Sequence, residues 1–144
     1  MDSQEFKIFR KRLNKTQKQI AFLLGTSIKA VNSYEQGLRS VPAHVERQMF
    51  FLISRMRGNN KDRKPCWVIK KCHFDIKKQC PAWEFKGGNF CWIINGTMCC
   101  SGACREWKDK MACCRSCEVL APFLQFLNTS HTEVSKIEYA GYLE

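Results

Sequence analysis

The first 65 residues of this 144-residue chain contain no cysteine, although the chain has ten. All ten fall within residues 66–117. Long apolar runs are also missing. The longest, such as residues 49–53, are five residues, far short of the roughly 18 residues a membrane-spanning helix needs. Residues 1–19 are charged and lack the apolar stretch of about 7–15 residues found in a secretory signal. These absences predict a cytoplasmic protein with no membrane partner. Acidic residues are scarce in the front half. Residues 1–63 hold 13 Lys/Arg against 5 Asp/Glu, a net +8, whereas residues 64–144 hold 11 against 8, a net +3. A basic excess suits a polyanion, because neutralised phosphates release counterions; a solvated basic surface gives the same count. Length allows one ordinary domain or two small ones.

What is present in front is helical periodicity. Phe6, Phe9 and Leu13 recur at three and four residues, one face of a helix. Asn14 and Lys15 break it. Thr16, with Gln19 three residues on, makes a capping-box pattern. Ile20, Ala21, Leu23 and Leu24 are expected to form the apolar side of a second helix, which Gly25 ends. Ser27 is placed to cap a third helix with Ala30, Val31 and Tyr34 facing inward, closed by Gly37. Pro42 suits the first turn of a fourth, whose stripe is Val45, Met49, Leu52/Ile53 and Met56. Met49, Phe50 and Phe51 are consecutive, so one Phe must face away from that stripe. The cysteine-rich half and a second subunit are equal candidates for what it meets.

Two short helices joined around a glycine form a corner whose second helix can enter a major groove. The stretch TQKQIAFLLGTSIKAVNSYEQGLRSVP, residues 16–42, resembles the Cro/lambda-repressor-like helix-turn-helix family. The matching marks are Thr16-Gln17, Ile20-Ala21, Leu24-Gly25, Ser27, Val31 and Tyr34-Glu35-Gln36-Gly37, followed by Arg39 and Pro42. The resemblance covers roughly residues 3–57, with four helices where the family usually has five. It implies binding to double-stranded DNA, as a homodimer. It places Gln17 against a phosphate at the start of helix 2, and Lys18 and Arg39 as further phosphate contacts. Ser27 opens the reading helix, from which Ile28, Lys29, Asn32 and Ser33 point into the groove. Lys29 matches guanine O6/N7, Asn32 adenine N6/N7 and Ile28 a thymine methyl. Glu35 reads better as a capping or salt-bridge partner.

Residues 58–65 are polar, charged and bounded by Gly and Pro, a linker composition. Behind them the cysteines run Cys66-x5-Cys72-x7-Cys80-x10-Cys91-x7-Cys99-Cys100-x3-Cys104-x8-Cys113-Cys114-x2-Cys117. Only Cys114 and Cys117 form a CxxC pair, so neither a zinc ribbon nor a bacterial ferredoxin pattern is present. A reducing cytosol argues against a disulfide framework, which leaves metal ligation as the expected use. Cys66-Trp67-Val68-Ile69 and Cys91-Trp92-Ile93-Ile94 form an imperfect repeat. A Trp after each Cys can shield a sulfur from water; Trp67, Trp83 and Trp92 would equally serve as the core of a small domain. The region from about residue 65 to 120 also resembles a cysteine-rich two-CW module. Its marks are Cys66-Trp67, Cys72, Cys80-Pro81-Ala82-Trp83, Cys91-Trp92, Gly96-Thr97, Cys99 and Cys114-x2-Cys117-Glu118-Val119. Cys100, Cys104 and Cys113 stand outside that shared set. The expected metal ligands are therefore Cys66, Cys72, Cys80, Cys91, Cys99, Cys114 and Cys117.

Four thiolates hold either tetrahedral zinc or an iron–sulfur cluster. The irregular, CxxC-poor spacing favours the cluster over zinc, with a thiol–disulfide switch third. Lys70, Lys71, Lys77 and Lys78 would favour thiolates, and His73 reads as a surface residue. Residues 121–144 open with a short helix carrying Phe123, Leu124, Phe126 and Leu127. The resulting expectation is a mainly α helix-turn-helix bundle at 1–57, a linker at 58–65, a small, loop-rich, cysteine-rich, metal-stapled domain at 66–120 and a C-terminal helix and tail at 121–144. The function expected is a sequence-specific transcriptional regulator sensing redox or metal state, not an enzyme. The alternative is a DNA-tethered interaction protein with structural zinc and a protein partner on its cysteine-rich part.

Overall fold

Caps and glycines punctuate the front half where their chemistry dictates. In the computed structural model, which describes residues 1–56, 63–99 and 102–125, α1 is Ser3–Arg12, capped by Asp2, whose carboxylate accepts the Glu5 N–H at 2.7 Å. Its basic last turn suits the negative end of the helix dipole. Asn14 then turns the chain at φ +51, a conformation short polar side chains tolerate. α2 is Gln17–Leu23, opened by the complete Thr16–Gln19 capping box and closed by Gly25 at φ +60. α3 is Ile28–Glu35, with the Ser27 hydroxyl accepting the Ala30 N–H at 3.1 Å. Gly37 at φ +73 closes it. α4 is Ala43–Met56. Pro42 lies just before its first turn rather than in it, and its carbonyl accepts the Glu46 N–H at 3.0 Å.

The inward faces agree with the periodicity except in α2. Ile20, Ala21 and Leu24 are buried, but Leu23 is half-exposed and Phe22 is 87 % exposed. At about 100° per residue, positions 20, 24 and 21 span one arc and position 23 falls beside it. In α4 the consecutive aromatics divide. Phe50 is buried, while Phe51 is half-exposed with its ring 6.0 Å from Phe90. Both meet the cysteine-rich half of the same chain.

That half consists of short helices: α5 Cys66–Ile69, α6 Phe74–Lys78, α7 Pro81–Glu84, a 3-10 turn at Cys91–Ile93, α8 Trp107–Cys114 and α9 Ala121–Gln125. No strand occurs among the described residues. Such helices are too short to persist alone, so packing holds them. Trp92, Met111, Cys114, Leu120 and Phe123 belong to the same buried cluster as Phe6, Phe9 and Phe50. The Trp92 ring meets Phe50 edge-on at 6.2 Å, and Phe50 meets Phe9 at 5.5 Å.

Polar contacts reinforce that shared core. Arg115 donates to both Glu5 oxygens at 2.7 and 3.0 Å and to Glu46 at 2.9 Å. Trp107 Nε1 donates to Glu46 at 2.8 Å, as does the amino group of Met1. Burial opposes ionisation of Glu46, but these bonds outweigh it and hold the carboxyl below its ordinary range. Arg47 covers the Trp107 ring at 4.4 Å, and Arg63 lies 3.7 Å from the Phe123 ring. Most of the linker, Cys100, and the tail with Phe126 and Leu127 lie outside the described residues.

Candidate functional site

Two sites are built on this frame. The first is the outward side of α3. Ile28, Lys29 and Asn32 are exposed there, opposite buried Ala30, Val31 and Tyr34. Asn32 accepts a bond from Gln36 Nε2 at 3.2 Å, which fixes its amide on the solvent side. Ser33 is half-buried and its hydroxyl donates back to the Lys29 carbonyl at 2.9 Å. Lys18 and Arg39 are exposed on either side. Ser27 is exposed but its hydroxyl is occupied as the cap of α3. Gln17 is tied inward, since its Nε2 donates to Glu35 Oε2 at 2.9 Å.

Glu35 is the hub that holds this corner. Arg10 on α1 bonds both its oxygens and also the Lys15 carbonyl. Burial opposes the charge on Glu35, yet the bonds from Arg10 and Gln17 overcome it and lower its pKa. The ion pair locks α1, the start of α2 and the end of α3 together, so the exposed face of α3 is presented on a rigid base.

The second site is a cavity lined by Cys66, Cys72, Cys80, Cys91, Cys99, Cys114 and Cys117. These are the seven cysteines of the expected ligand set, and all are free thiols. Cys113, outside that set, is disulfide-bonded. Cys104 is free but does not line the cavity. The two Cys-Trp repeats meet here through a hydrogen bond between the Cys66 and Cys91 thiols. Their junction depends on Gly88, whose carbonyl accepts the Cys66 N–H at 3.0 Å. A Cβ on Gly88 would stand 2.5 Å from Pro65 and 2.7 Å from Trp67, so only glycine fits. Trp67, Trp83 and Trp92 all line the cavity, the first two in edge contact at 4.9 Å. All three tryptophans wall the sulfurs, and Trp92 alone of them is also part of the buried core.

The thiols are not equivalent. The bond from Cys91 lowers the Cys66 pKa and raises that of Cys91, to which burial adds. Burial pushes Cys114 up to about 11 and raises Cys72. At about 30 Å³ the cavity is far below the roughly 300–1,000 Å³ of an organic-ligand pocket. Among the described residues no group of three or more His, Cys, Asp or Glu is arranged to hold a single metal ion. His73 is exposed and pairs with Asp75 at 3.3 Å. Of the lysines expected to act on the thiols, Lys70 and Lys77 reach the cavity wall.

Sequence reasoning missed Lys110 and the role of Thr97. Both are buried, and Lys110 Nζ donates to Thr97 Oγ1 at 2.5 Å. A signal existed: Trp107, Lys110, Met111 and Cys114 share the i, i+3, i+4, i+7 face of α8, so the lysine sits in an apolar stripe.

The helix-turn-helix family model HTH_3 matches residues 6–45, from within α1 to the start of α4. No curated protein and no solved structure matches the chain.

Proposed function

We propose that this chain, whose residues 6–45 match a helix-turn-helix family model, is a transcriptional regulator whose thiol cavity holds a metal centre that controls the reader. The observation that carries this reading is how the cavity wall joins the helices of the reader. Trp92 lines the cavity and packs on Phe50 of α4. Cys114 lines it too, and the next residue, Arg115, clamps Glu5 of α1 and Glu46 of α4. A change in what the sulfurs hold moves Trp92 and Arg115, and with them the base on which α3 is presented.

We favour an iron–sulfur cluster over one zinc ion because the cysteine spacing is irregular and CxxC-poor and seven thiols line a single space. When bound, such a cluster supplies one-electron redox chemistry and sensitivity to oxidants. The chain's own residues supply four or more of the thiolates, the tryptophan wall that excludes water and the link to α1 and α4. Two copies on adjacent half-sites would place two α3 helices in successive major grooves. Cys114-x2-Cys117 does not look like a thiol oxidoreductase pair: Cys114 is buried and its thiol is raised, opposite to an attacking thiol.

The rival reading is a docking protein with structural zinc. It draws on exposed Phe74 and Phe85, which stand on the outer side of the cysteine-rich half. One experiment separates the two. The protein is purified without oxygen, its iron, sulfide and zinc are measured, and binding to DNA selected from a random pool is compared before and after chelation. Iron with sulfide, and an affinity change of about tenfold or more on stripping, supports the regulator. Zinc alone, with unchanged DNA affinity, supports the docking protein.

A further inference from the structure

Lys110 has no solvent-exposed surface. Thr97 Oγ1 is its hydrogen-bond acceptor, and among the described residues no carboxylate forms an ion pair with it. Thr97 is itself buried, lines the cavity and takes a bond from Cys99 Sγ at 3.6 Å. Lys110 thus reaches the thiols through Thr97 and lies one helical turn from Cys114 on α8. A second donor nearby is also unused: Trp92 Nε1 is buried with no acceptor, and Trp92 lines the same cavity. A buried ammonium with no opposing charge is strongly disfavoured, and so is a buried N–H with no acceptor. Both conflicts sit beside one space whose wall is sulfur.

We propose that Lys110 is the internal counter-charge of a net-anionic metal–thiolate centre in this cavity, with Thr97 holding its ammonium in place and Trp92 offering an N–H to the centre's sulfurs. The inference rests on the metal-centre reading above. A cubane cluster held by four thiolates is net negative and satisfies the ammonium that the protein leaves without a carboxylate. A cationic or neutral centre built on histidines does not. For a cluster, a fixed positive charge favours the more reduced, more negative state, so Lys110 raises the reduction potential.

The test uses the full chain, purified without oxygen, with the variants Lys110→Met, Lys110→Arg and Thr97→Val. Metal and sulfide per chain, the rate of metal loss to a chelator and, where iron is present, the midpoint potential are measured. Melting of the stripped proteins is followed alongside. Lys110→Met is expected to lose metal at least tenfold faster than the parent, and a cluster in it to have a more negative potential. Lys110→Arg should lie near the parent. The stripped proteins should show the opposite order, with Lys110→Met melting above the parent, because the uncompensated charge is gone. A lysine with only a packing role would shift the loaded and stripped forms alike. Thr97→Val, which keeps the charge but frees it, should lose metal severalfold faster, and it decides the matter if Lys110→Met does not fold. Parent-like metal retention and potential in these variants overturn the counter-charge role alone. A parent that carries no metal overturns the cavity reading and this inference together.

Discussion

Lys29 and Asn32 stand on the solvent side of α3, and both belong to the proposed base-reading set. Alanine at either is expected to weaken binding to the selected site by roughly 1–3 kcal/mol and to relax preference at one base position. Alanine at Lys18 or Arg39 should weaken all sequences alike and reduce the salt slope by about one. Titrations by fluorescence anisotropy at several salt concentrations distinguish the two classes. Arg115 is the residue that joins the halves electrostatically. Replacing it with Met leaves Glu5 and Glu46 without their shared partner. The expected loss is roughly 1–3 kcal/mol, between the values for exposed and fully buried pairs, read by denaturant unfolding. Glu46 and Glu35 both sit below their ordinary value of 4.5 in the folded chain. The unfolded chain therefore binds protons more readily, and the stability these carboxylates provide is lost as pH falls below about 4.5. Thermal melting should drop in that range, and Arg115→Met should remove part of the drop. The sequence resemblance proposes Lys29 and Asn32 as base readers, and the structure leaves both exposed on α3. Sequence alone did not show Lys110 or Arg115, because a lysine in a stripe and an arginine after a cysteine acquire meaning only from what faces them in space.

At the scale of elements, the front half was legible because its stops and starts are local. Thr16 and Gln19 bond each other, Ser27 bonds three residues ahead, and Gly25 and Gly37 adopt the conformations that glycine favours. None of this needs a distant partner. Gly25→Ala is therefore expected to lose roughly 1–2 kcal/mol from backbone strain alone, since a Cβ there meets nothing within 4 Å. Ser27→Ala should lose about 1 kcal/mol through the missing cap. Calorimetry on both variants checks the pair, and a neutral result at Gly25 would mean the turn relaxes out of the left-handed region. The elements behind residue 65 were far less readable. Helices of four or five residues carry too few positions for any period to declare itself, which is why that half was expected to be loop-rich. Leu23 shows the same limit in a longer helix, where seven residues leave the edge of the buried arc undefined.

Across the whole molecule, the expected division into a reader and a sensor overlooks a core that both halves build. Phe9, Phe50, Trp92 and Phe123 lie in one buried cluster, although periodicity offered no way to choose between Phe50 and Phe51 or to name what the inner one meets. Phe50→Ala should lower stability by about 3–5 kcal/mol. The loss should appear as a single transition shared by tryptophan fluorescence, which reports the cysteine-rich half, and far-ultraviolet ellipticity, to which the front helices contribute most. Two separate transitions would show that the halves melt independently. The thiol cavity, by contrast, was partly visible: its seven cysteines are the set common to the two-CW resemblance, and the structure gathers them around one space.

The shared core also has a consequence for how the protein is made. Translation delivers Phe9 and Phe50 early, and Trp92, Leu120 and Phe123 only later. At roughly 5–20 residues per second, the nascent reader waits several seconds on the ribosome before the aromatic side of α4 is covered. Helix α3 is therefore synthesised before the residues that complete the core beneath it. A polypeptide released before its thiol-bearing half is complete therefore lacks the buttress beneath α1 and α4.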